Sequence, residues 1–392
     1  MGGGLMQLVA YGAQDIYLTG NPQITFFKIV YRRHTNFAIE SKEQTFSGKS
    51  TLGTKFTCNI SRNGDLLSRI YLAMNITSSD VNKSVLGKRI GHKLIDFVDV
   101  EIGGQTIDKQ YGEWLELWAQ LSHGDGSFTK LDKMVSGLQI VAAANDKKQK
   151  LKCYVPLQFW FCRNPGLALP LIALQYHEVK INVSLKSLEE LNNSGIQNFG
   201  TLDEVEVWCD YIFLDTDERR RFAQVSHEYL IEQIQFSNSL MSASGKNQRE
   251  LRFNHPVKEL IWVCQPKDNT GFNYFSTNGS NGVDNIKTAL IQLNGHDRFT
   301  EREGHYFRCV QTYQHHSGGH RQNPGQEEGG FYVYSFALKP EEHQPSGTCN
   351  FSRIDNAVLN YTAVSEGKFR AYAINYNVLR IMSGMGGLAY SN

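Results

Sequence analysis

Hydrophobic and polar residues alternate in many short stretches of the chain, and this pattern predicts a protein built of β-strands. Successive side chains of a strand point to opposite faces, so a period of two is typical of a strand with one buried face. Such runs, joined by irregular loops, favour antiparallel β-sandwiches. In the first half the strands are expected at 42–48, 55–61, 67–76, 94–102, 153–162, 175–185 and 205–214. In the second half they are expected at 229–237, 249–254, 258–265, 287–293, 331–338, 349–361 and 370–380.

Two segments have helical spacing instead. The first, 111–121, is expected to point Glu113 and Glu116 outward, and the second, 128–138, has Ser127 as its candidate N-cap. We interpret both as helices that pack on a sandwich, and not as a cofactor site. Their apolar stripes are Trp114, Leu117, Trp118 and Leu121, and then Phe128, Leu131, Met134, Val135 and Leu138.

The two halves of the chain resemble each other weakly, which predicts a duplication. Because loops tolerate changes of length better than strands, the separation between matching segments is expected to vary. In the pair 98–107 with 289–298, Gly103-Gly104 and Asn294-Gly295 predict tight hairpins, since type I′ turns require positive φ. In the pair 159–165 with 334–340, a strand is expected to end at Pro165 and at Pro340. The pairs are 66–74 with 256–264, 98–107 with 289–298, 159–165 with 334–340, and 210–214 with 375–379.

These patterns predict an all-β fold of two tandem eight-stranded antiparallel jelly rolls, a double jelly roll, with a few short helices in loops. The chain has 392 residues, and single cores stop growing near ~250–300 residues, so two large domains are expected. The segment 215–228 is charged and lacks alternation. The expected division is an N-terminal arm at 1–23, a first jelly roll at 24–215, a linker at 216–228 and a second jelly roll at 229–392.

Charge and targeting signals narrow the class of protein. The net charge is +1, from 40 basic and 39 acidic residues, which argues against genome condensation and sequence-specific nucleic-acid binding. The lysines at 147, 148, 150 and 152 are interpreted as a solvated loop rim. The start of the chain does not resemble a signal peptide, and no window approaches the ~20 apolar residues of a membrane span. We therefore expect a soluble protein that stays in the cytosol where it is made.

Catalytic and metal-binding patterns are weak. The seven cysteines are odd in number and widely spaced, which indicates a reducing compartment and no zinc or disulfide framework. His315, His316 and His320 are the best metal candidate, but their Gly- and Gln-rich surroundings favour an exposed loop. The carboxylates Glu178, Glu206 and Asp210 are expected to be ion-paired or at an edge. We therefore predict no catalytic residue, no cofactor and no metal site.

Asn-x-Ser/Thr triplets are numerous, and most of them fall on predicted strands. We interpret them as unused acceptors for N-glycans, because the chain has no recognisable secretory signal. They begin at Asn59, Asn75, Asn82, Asn182, Asn192, Asn278, Asn350 and Asn360.

Several long strings resemble those of a known family, the major capsid proteins of nucleocytoplasmic large DNA viruses, and above all those of the chlorovirus type of phycodnavirus. The resemblance extends from the N-terminus to the last residues. The strings are QLVAYGAQDIYLTGNPQITFFK (7–28), YRRHTNF (31–37), ISRNGD (60–65), PGLALPLIALQYHEVK (165–180), SGTCNFSRIDN (346–356) and NYNVLRIMSGMGGLAY (375–390).

The resemblance implies a structural role in a virion and no enzymatic activity. It implies that two jelly rolls stand side by side and that a homotrimer forms a pseudo-hexagonal capsomer, which tiles an icosahedral shell. It also implies contacts with neighbouring capsomers, minor capsid proteins beneath the shell that the arm would meet, and possible glycans on outer loops. The alternatives are a capsid paralogue or vertex protein that binds glycans, as a lectin does, or that processes them, as a tandem jelly-roll amidase does.

Overall fold

The computed structural model describes residues 3–77, 89–135, 140–141, 150–193, 199–267, 272, 284–319, 322–323, 326–327 and 330–390. The chain divides into two compact units, Met1–Asn36 and Phe37–Asn392. The first unit contains two short helices, α1 (Gly3–Val9) and α2 (Ile16–Thr19). The rest of this section concerns the second unit.

The first half of the large unit contributes eight main strands to two antiparallel sheets. One sheet has the order β1-β8-β3-β6 and the other has the order β2-β7-β4-β5. The strands are β1 (Phe37–Gln44), β2 (Lys55–Asn59), β3 (Leu66–Thr77), β4 (Ile95–Ile102), β5 (Gln105–Tyr111), β6 (Lys150–Pro156), β7 (Val179–Leu185) and β8 (Thr201–Leu214).

The second half repeats this arrangement. Its sheets have the orders β9-β16-β11-β14 and β10-β15-β12-β13, so each strand has neighbours equivalent to those in the first half. This is the double jelly roll predicted from the sequence. The strands are β9 (His227–Ser242), β10 (Gly245–Glu250), β11 (Pro256–Pro266), β12 (Ile286–Leu293), β13 (His296–Asp297), β14 (Tyr332–Ser335), β15 (Ala357–Ala363) and β16 (Gly367–Met382).

Short strands extend these sheets at Phe46–Ser47, Ile140–Val141, Leu169–Pro170, Arg302–Glu303, Cys349–Asn350 and Met385–Leu388, and Gln322–Asn323 pairs with Gln326–Glu327. The helices are α3 (Ile90–Leu94), α4 (Gly112–Ser122), α5 (Asp125–Val135), α6 (Trp160–Arg163), α7 (Leu188–Asn193), α8 (Thr216–Gln224) and α9 (Gln311–His315). Single turns of 3₁₀-helix lie at Pro165–Leu167 and Phe351–Arg353, and a π-helix at Tyr306–Val310. Among the described residues, no helix is long and apolar enough to cross a membrane.

The two predicted hairpins are confirmed. Gly103 and Gly104 have φ of 59° and 86°, and they join β4 to β5. Asn294 and Gly295 have φ of 51° and 79°, and they join β12 to β13. Two successive positive φ values are the geometry of a type I′ turn, whose twist matches that of the flanking strands.

The third repeat pair does not share one local structure, and the strand predicted at 153–162 is wrong beyond Pro156. Phe159, Trp160 and Phe161 are all buried, because the chain turns into α6 at Trp160 and brings three consecutive bulky side chains into the core. A strand would point alternate residues outward. Pro165 begins a 3₁₀ turn, and β14 ends at Ser335, well before Pro340, so neither proline ends a strand.

Other expectations from the sequence also differ from the structure. The predicted strand 349–361 is interrupted by a 3₁₀ turn, and β15 begins at Ala357. The second predicted helix begins at Asp125, so Ser127 lies inside α5 and is not its N-cap, while Leu138 lies outside the described residues. The first predicted helix is confirmed as α4, but Glu116 on it is completely buried and does not point outward.

Candidate assembly site: the junction of the two sandwiches

The sheet β9-β16-β11-β14 is buried on both faces, and β11 is accordingly buried along nearly all of its length, with an uninterrupted apolar run at 260–264. On β11, Leu260 and Trp262 belong to the core of the second sandwich. The intervening Ile261 and Val263 belong to a core that is shared with the first sandwich. Since alternate residues of a strand point to opposite faces, this sheet separates two hydrophobic cores.

Strand β16 has the same division. Ala371 and Ala373 face the core of the second sandwich, whereas Tyr372 and Ile374 face the shared core. A continuous apolar core between two domains resists relative motion much more than a small polar contact does. The two jelly rolls therefore form one rigid body.

A bidentate ion pair joins α4 of the first sandwich to β16 of the second. The guanidinium of Arg370 donates to both carboxylate oxygens of Glu113, at 2.7 and 2.6 Å, and the hydroxyl of Tyr372 donates to the same carboxylate at 2.6 Å. Both charged side chains are only 13% exposed. Planar two-point pairs of this kind fix an orientation as well as a distance.

A second charged group crosses the junction near α6. Arg163 donates to Glu232 on β9 at 2.6 Å, and Lys258 on β11 lies 2.6 Å from the other oxygen of that carboxylate. Burial tends to raise the pKa of Glu232, but Lys258 and Arg163 outweigh it and lower that pKa. Arg163 also lies over the ring of Trp118, 4.5 Å from its centroid. Its charge is therefore satisfied by partners from both sandwiches.

Strand β5 of the first sandwich meets β9 of the second through a buried carboxyl group. Asp108 accepts the backbone N–H of Ile234 at 2.9 Å, and Gln110 donates to its other oxygen at 2.9 Å. Gln233 donates to the backbone carbonyl of Ile107. Burial raises the pKa of Asp108 to about 6, although these hydrogen bonds oppose the rise.

The histidine segment is a further part of the junction, and the prediction of an exposed loop is wrong for it. α9 ends at His315, and the next side chain, His316, is completely buried between Glu259 and Glu341. Burial alone lowers the pKa of His316, but the two carboxylates raise it to about 9. His315 Nδ1 donates to the carbonyl oxygen of Leu338, 3.0 Å away, and His320 lies outside the described residues.

The residues after His316 cap a helix of the other sandwich. Gly318 and Gly319 donate their backbone N–H groups to the carbonyls of Leu121 and Gln120, at 2.7 and 2.9 Å. These carbonyls belong to the last turn of α4, where an α-helix has no internal donors for them. The hydroxyl of Ser317 adds a bond of 3.1 Å to the carbonyl of Ser122.

The carboxylates singled out in the sequence do not form a catalytic pair with one another. Glu206 lies on β8, where it accepts from Trp208 Nε1 at 2.8 Å and from Lys152 at 3.2 Å, and both contacts lower its pKa. Glu178 precedes β7 in the other sheet and lies 3.6 Å from Lys180, with its side chain 72% exposed. Asp210 faces Ser41 across β8 and β1. Glu206 and Glu178 are thus ion-paired, as expected.

The structure also shows where the cysteines, most of the Asn-x-Ser/Thr triplets and part of the lysine run lie. All seven cysteines are free, and burial raises the pKa of Cys153 and of Cys162 to about 12. Within the described ranges, no group of three or more His, Cys, Asp or Glu residues is arranged to hold a metal ion. Of the lysine run, the residues at 147 and 148 lie outside those ranges, and Lys150 and Lys152 are on β6. The asparagines of most triplets lie on strands, as predicted, while those at 82 and 278 are not described.

Sequence reasoning missed most of the residues that form the junction. Glu113 was expected to face solvent, but it pairs with Arg370 across the junction. Glu116 was expected to face solvent as well, but within the first sandwich it pairs with Arg89 at 2.7 Å and with His92 at 2.8 Å, and these partners lower its pKa to about 2 against the effect of burial. The only signal for such pairing is that both acids lie on a helix rich in tryptophan. Gly318 and Arg370 carry no signal in the sequence, because their partners are about 200 residues away or more.

Comparison with known proteins places the chain in a family. Residues 25–215 match the profile described as major capsid protein N-terminus, and residues 218–387 match the profile described as large eukaryotic DNA virus major capsid protein. The major capsid protein of Pyramimonas orientalis virus is 55% identical, and that of Paramecium bursaria Chlorella virus 1 is 44% identical, each over 100% of both chains. The structure also matches the quasi-atomic model of the PBCV-1 virus capsid with a TM-score of 0.80 at 40% identity, over 94% of this chain and 100% of that one.

Proposed function

Because the chain belongs to the major capsid proteins of large eukaryotic DNA viruses and is a structural protein of the virion, not an enzyme, we propose that three copies associate into a pseudo-hexagonal capsomer. Capsomers of this kind assemble with their neighbours into the icosahedral shell of a double-stranded DNA virus. The observation that carries the proposal is the rigid junction between the two jelly rolls.

The junction matters because a tile must keep its shape. Two equivalent sandwiches per chain give a trimer six similar lobes, which approximates hexagonal symmetry with three subunits. If the two lobes could rotate about a linker, the six lobes would not hold a flat arrangement. The shared core, the pair of Arg370 with Glu113 and the capping of α4 by Gly318 each fix one lobe to the other.

The proposed domain limits are an arm at 1–23, a first jelly roll at 24–215, a linker at 216–228 and a second jelly roll at 229–392. Two observations support this division. Each sheet contains strands from only one half of the chain, and the two family profiles meet between residues 215 and 218. Between β8 and β9 lies α8, which Asp215 caps by accepting the backbone N–H of Thr216 at 2.7 Å.

The arm is proposed to meet minor capsid proteins on the inner side of the shell. Many apolar side chains of the arm are exposed, among them Tyr17 and Leu18 at 91% and 85%. Exposed apolar surface of this extent is typical of a binding segment. Synthesis in the host cytoplasm and glycans on the outer loops are further parts of the proposal, and they rest on the family resemblance alone.

The oligomeric state is the direct test. Native mass spectrometry of the purified full-length protein at micromolar concentration should give a species of three times the 44.4 kDa chain. Obligate interfaces commonly bury ~2,000–5,000 Å², so this species should persist on tenfold dilution. A stable monomer or dimer as the main species would contradict the proposal.

A further inference from the structure

A cleft of about 780 Å³ opens between the two sandwiches at one end of their junction. The ends of β7 and β11 and the starts of β4 and β16 surround it, so both jelly rolls contribute to its walls. Sites for small molecules commonly have volumes of ~300–1,000 Å³ and occur preferentially where domains meet. No part of the shell function described above uses this cleft.

The floor of the cleft is fixed and polar. It contains the ion pair of Arg370 with Glu113, and Gln265 accepts a further bond from Arg370 at 2.8 Å. Because these groups already hold one another, the floor needs little reorganisation when a ligand enters.

One wall consists of aromatic rings that pack on one another. The ring centroids of Tyr111 and Phe236 are 4.7 Å apart, and those of Phe236 and Tyr372 are 5.0 Å apart. These spacings are direct ring contacts, so no slot remains between the rings for a flat nucleobase. Tyr372 is buried, so Tyr111 and Phe236, which are partly exposed, provide the apolar surface on which one face of a sugar ring can lie.

Lysines from both sandwiches surround the opening. Lys93 and Lys186 come from the first sandwich, and Lys267 and Lys368 come from the second. Asp96 and Glu190 also line the cleft, and one oxygen of Glu190 already accepts from the backbone N–H and the hydroxyl of Ser187, at 2.8 and 3.0 Å. Lysines only donate hydrogen bonds and ionised carboxylates only accept them, so this mixture suits a ligand that carries both hydroxyl groups and negative charge.

We propose that this cleft binds an anionic oligosaccharide, that is, a short chain of sugars with carboxylate or sulfate groups. The aromatic wall takes the apolar face of a sugar ring, the carboxylates accept from its hydroxyl groups, and the lysines pair with its anionic groups. A single-stranded nucleic acid fits less well, because the contacts between the aromatic rings leave no slot for a base.

Calorimetric titration of the full-length purified protein tests this. The probes are a sulfated heparin tetrasaccharide, tetragalacturonate, neutral maltotetraose and the oligonucleotide dT4. We expect saturable binding of at least one of the two anionic sugars at one site per chain, and at least tenfold weaker binding of maltotetraose and dT4. Which anionic sugar binds more tightly distinguishes sulfate from carboxylate recognition. If neither anionic sugar binds saturably, or if dT4 binds as tightly, the proposal is wrong.

Charge-reversal variants localise the site. K267E/K368E changes two exposed lysines of the cleft and should weaken binding at least tenfold, whereas K246E/K287E changes two exposed lysines that do not line it and should leave the affinity unaltered. If the double variant unfolds at a lower temperature, the single variant K186E, which changes a cleft lysine of the first sandwich, tests separately whether the cleft lysines contribute to the affinity. Equal losses in the cleft and control variants would show nonspecific attraction and would overturn the proposal.

Discussion

The backbone N–H of Gly318, in the second sandwich, donates to the carbonyl of Leu121, in the first, at 2.7 Å. The bond satisfies the C-terminal end of α4, a helix that packs its tryptophans into the shared core. A helix end that is capped from another domain cannot be completed until both domains are in place. This capping therefore couples the folding of α4 to the docking of the two jelly rolls.

Replacement of Gly318 should weaken that coupling. A Cβ atom at this position would lie 2.3 Å from the carbonyl oxygen of Gln120, so the Gly318→Ala variant must displace backbone that is already packed. We expect a loss of about 1–3 kcal/mol, the usual effect of overpacking, seen as a lower midpoint of denaturant unfolding. Gly319→Ala is the matched control, because the nearest atom to its Cβ is Thr312 Oγ1 at 3.7 Å, an ordinary contact. Equal losses in both variants would disprove the steric argument.

The pair of Arg370 with Glu113 should contribute more than a surface ion pair. The Glu113→Gln variant removes one charge and leaves Arg370 partly buried beside a neutral group. Since hydrogen bonds to charged groups contribute about 1.5–3 kcal/mol, we expect a loss of stability in this range. The control is Glu342→Gln, whose partner Lys339 is 3.0 Å away but largely exposed, and which should not shift the unfolding midpoint. A double-mutant cycle with Arg370→Gln that gave no coupling energy would rule out a direct role for the pair.

His316 should make the junction sensitive to alkaline pH. Its pKa is about 9 in the folded protein and near 6.5 when unfolded, so the folded state binds the proton more tightly. The contribution of protonated His316 to the stability of the folded protein is fully present below pH 6.5 and is lost as the pH rises through about 9. The difference in melting temperature between the wild type and His316→Gln should therefore shrink between pH 7 and pH 10. His315→Gln, at the half-buried neighbour, keeps a donor for the carbonyl of Leu338 and should melt like the wild type, and a constant difference for His316→Gln would contradict the assignment.

Removal of the arm, residues 1–23, should leave folding intact and impair assembly. The described cores of the large unit begin at Phe56, so the truncated protein should keep the wild-type melting temperature. If the arm meets minor capsid proteins, the truncated chain should enter shells poorly when it competes with the full-length chain in infected cells. The ratio of the two proteins in purified virions measures this, and equal incorporation would contradict the proposed role of the arm.

The sequence predicted the strands and their duplication well, because alternation and positive-φ turns are local signals. The pairs Gly103-Gly104 and Asn294-Gly295 are both turns of the predicted type. Prediction failed where tertiary contacts override local pattern. Strand β1 has side chains that are mostly exposed, so its N-terminal part was missed, and the aromatic run at Phe159 became a helical turn in the core.

The junction was the least predictable part. Glu113 and His316 were interpreted as surface residues because charged and polar side chains are rarely buried without partners. Their partners, Arg370 and Glu259, come from distant segments, so a single sequence contains no sign of the pairing. The one local signal is the uninterrupted apolar run at 260–264 of β11, which is typical of a strand covered on both faces.

Electron microscopy of the purified protein tests the central claim most directly, since the claim concerns shape. Class averages viewed along the symmetry axis should show threefold particles with six lobes, in which the two lobes of each subunit keep one fixed separation. Particles in which those two lobes vary in their relative position, or single two-lobed particles without threefold symmetry, would contradict the account.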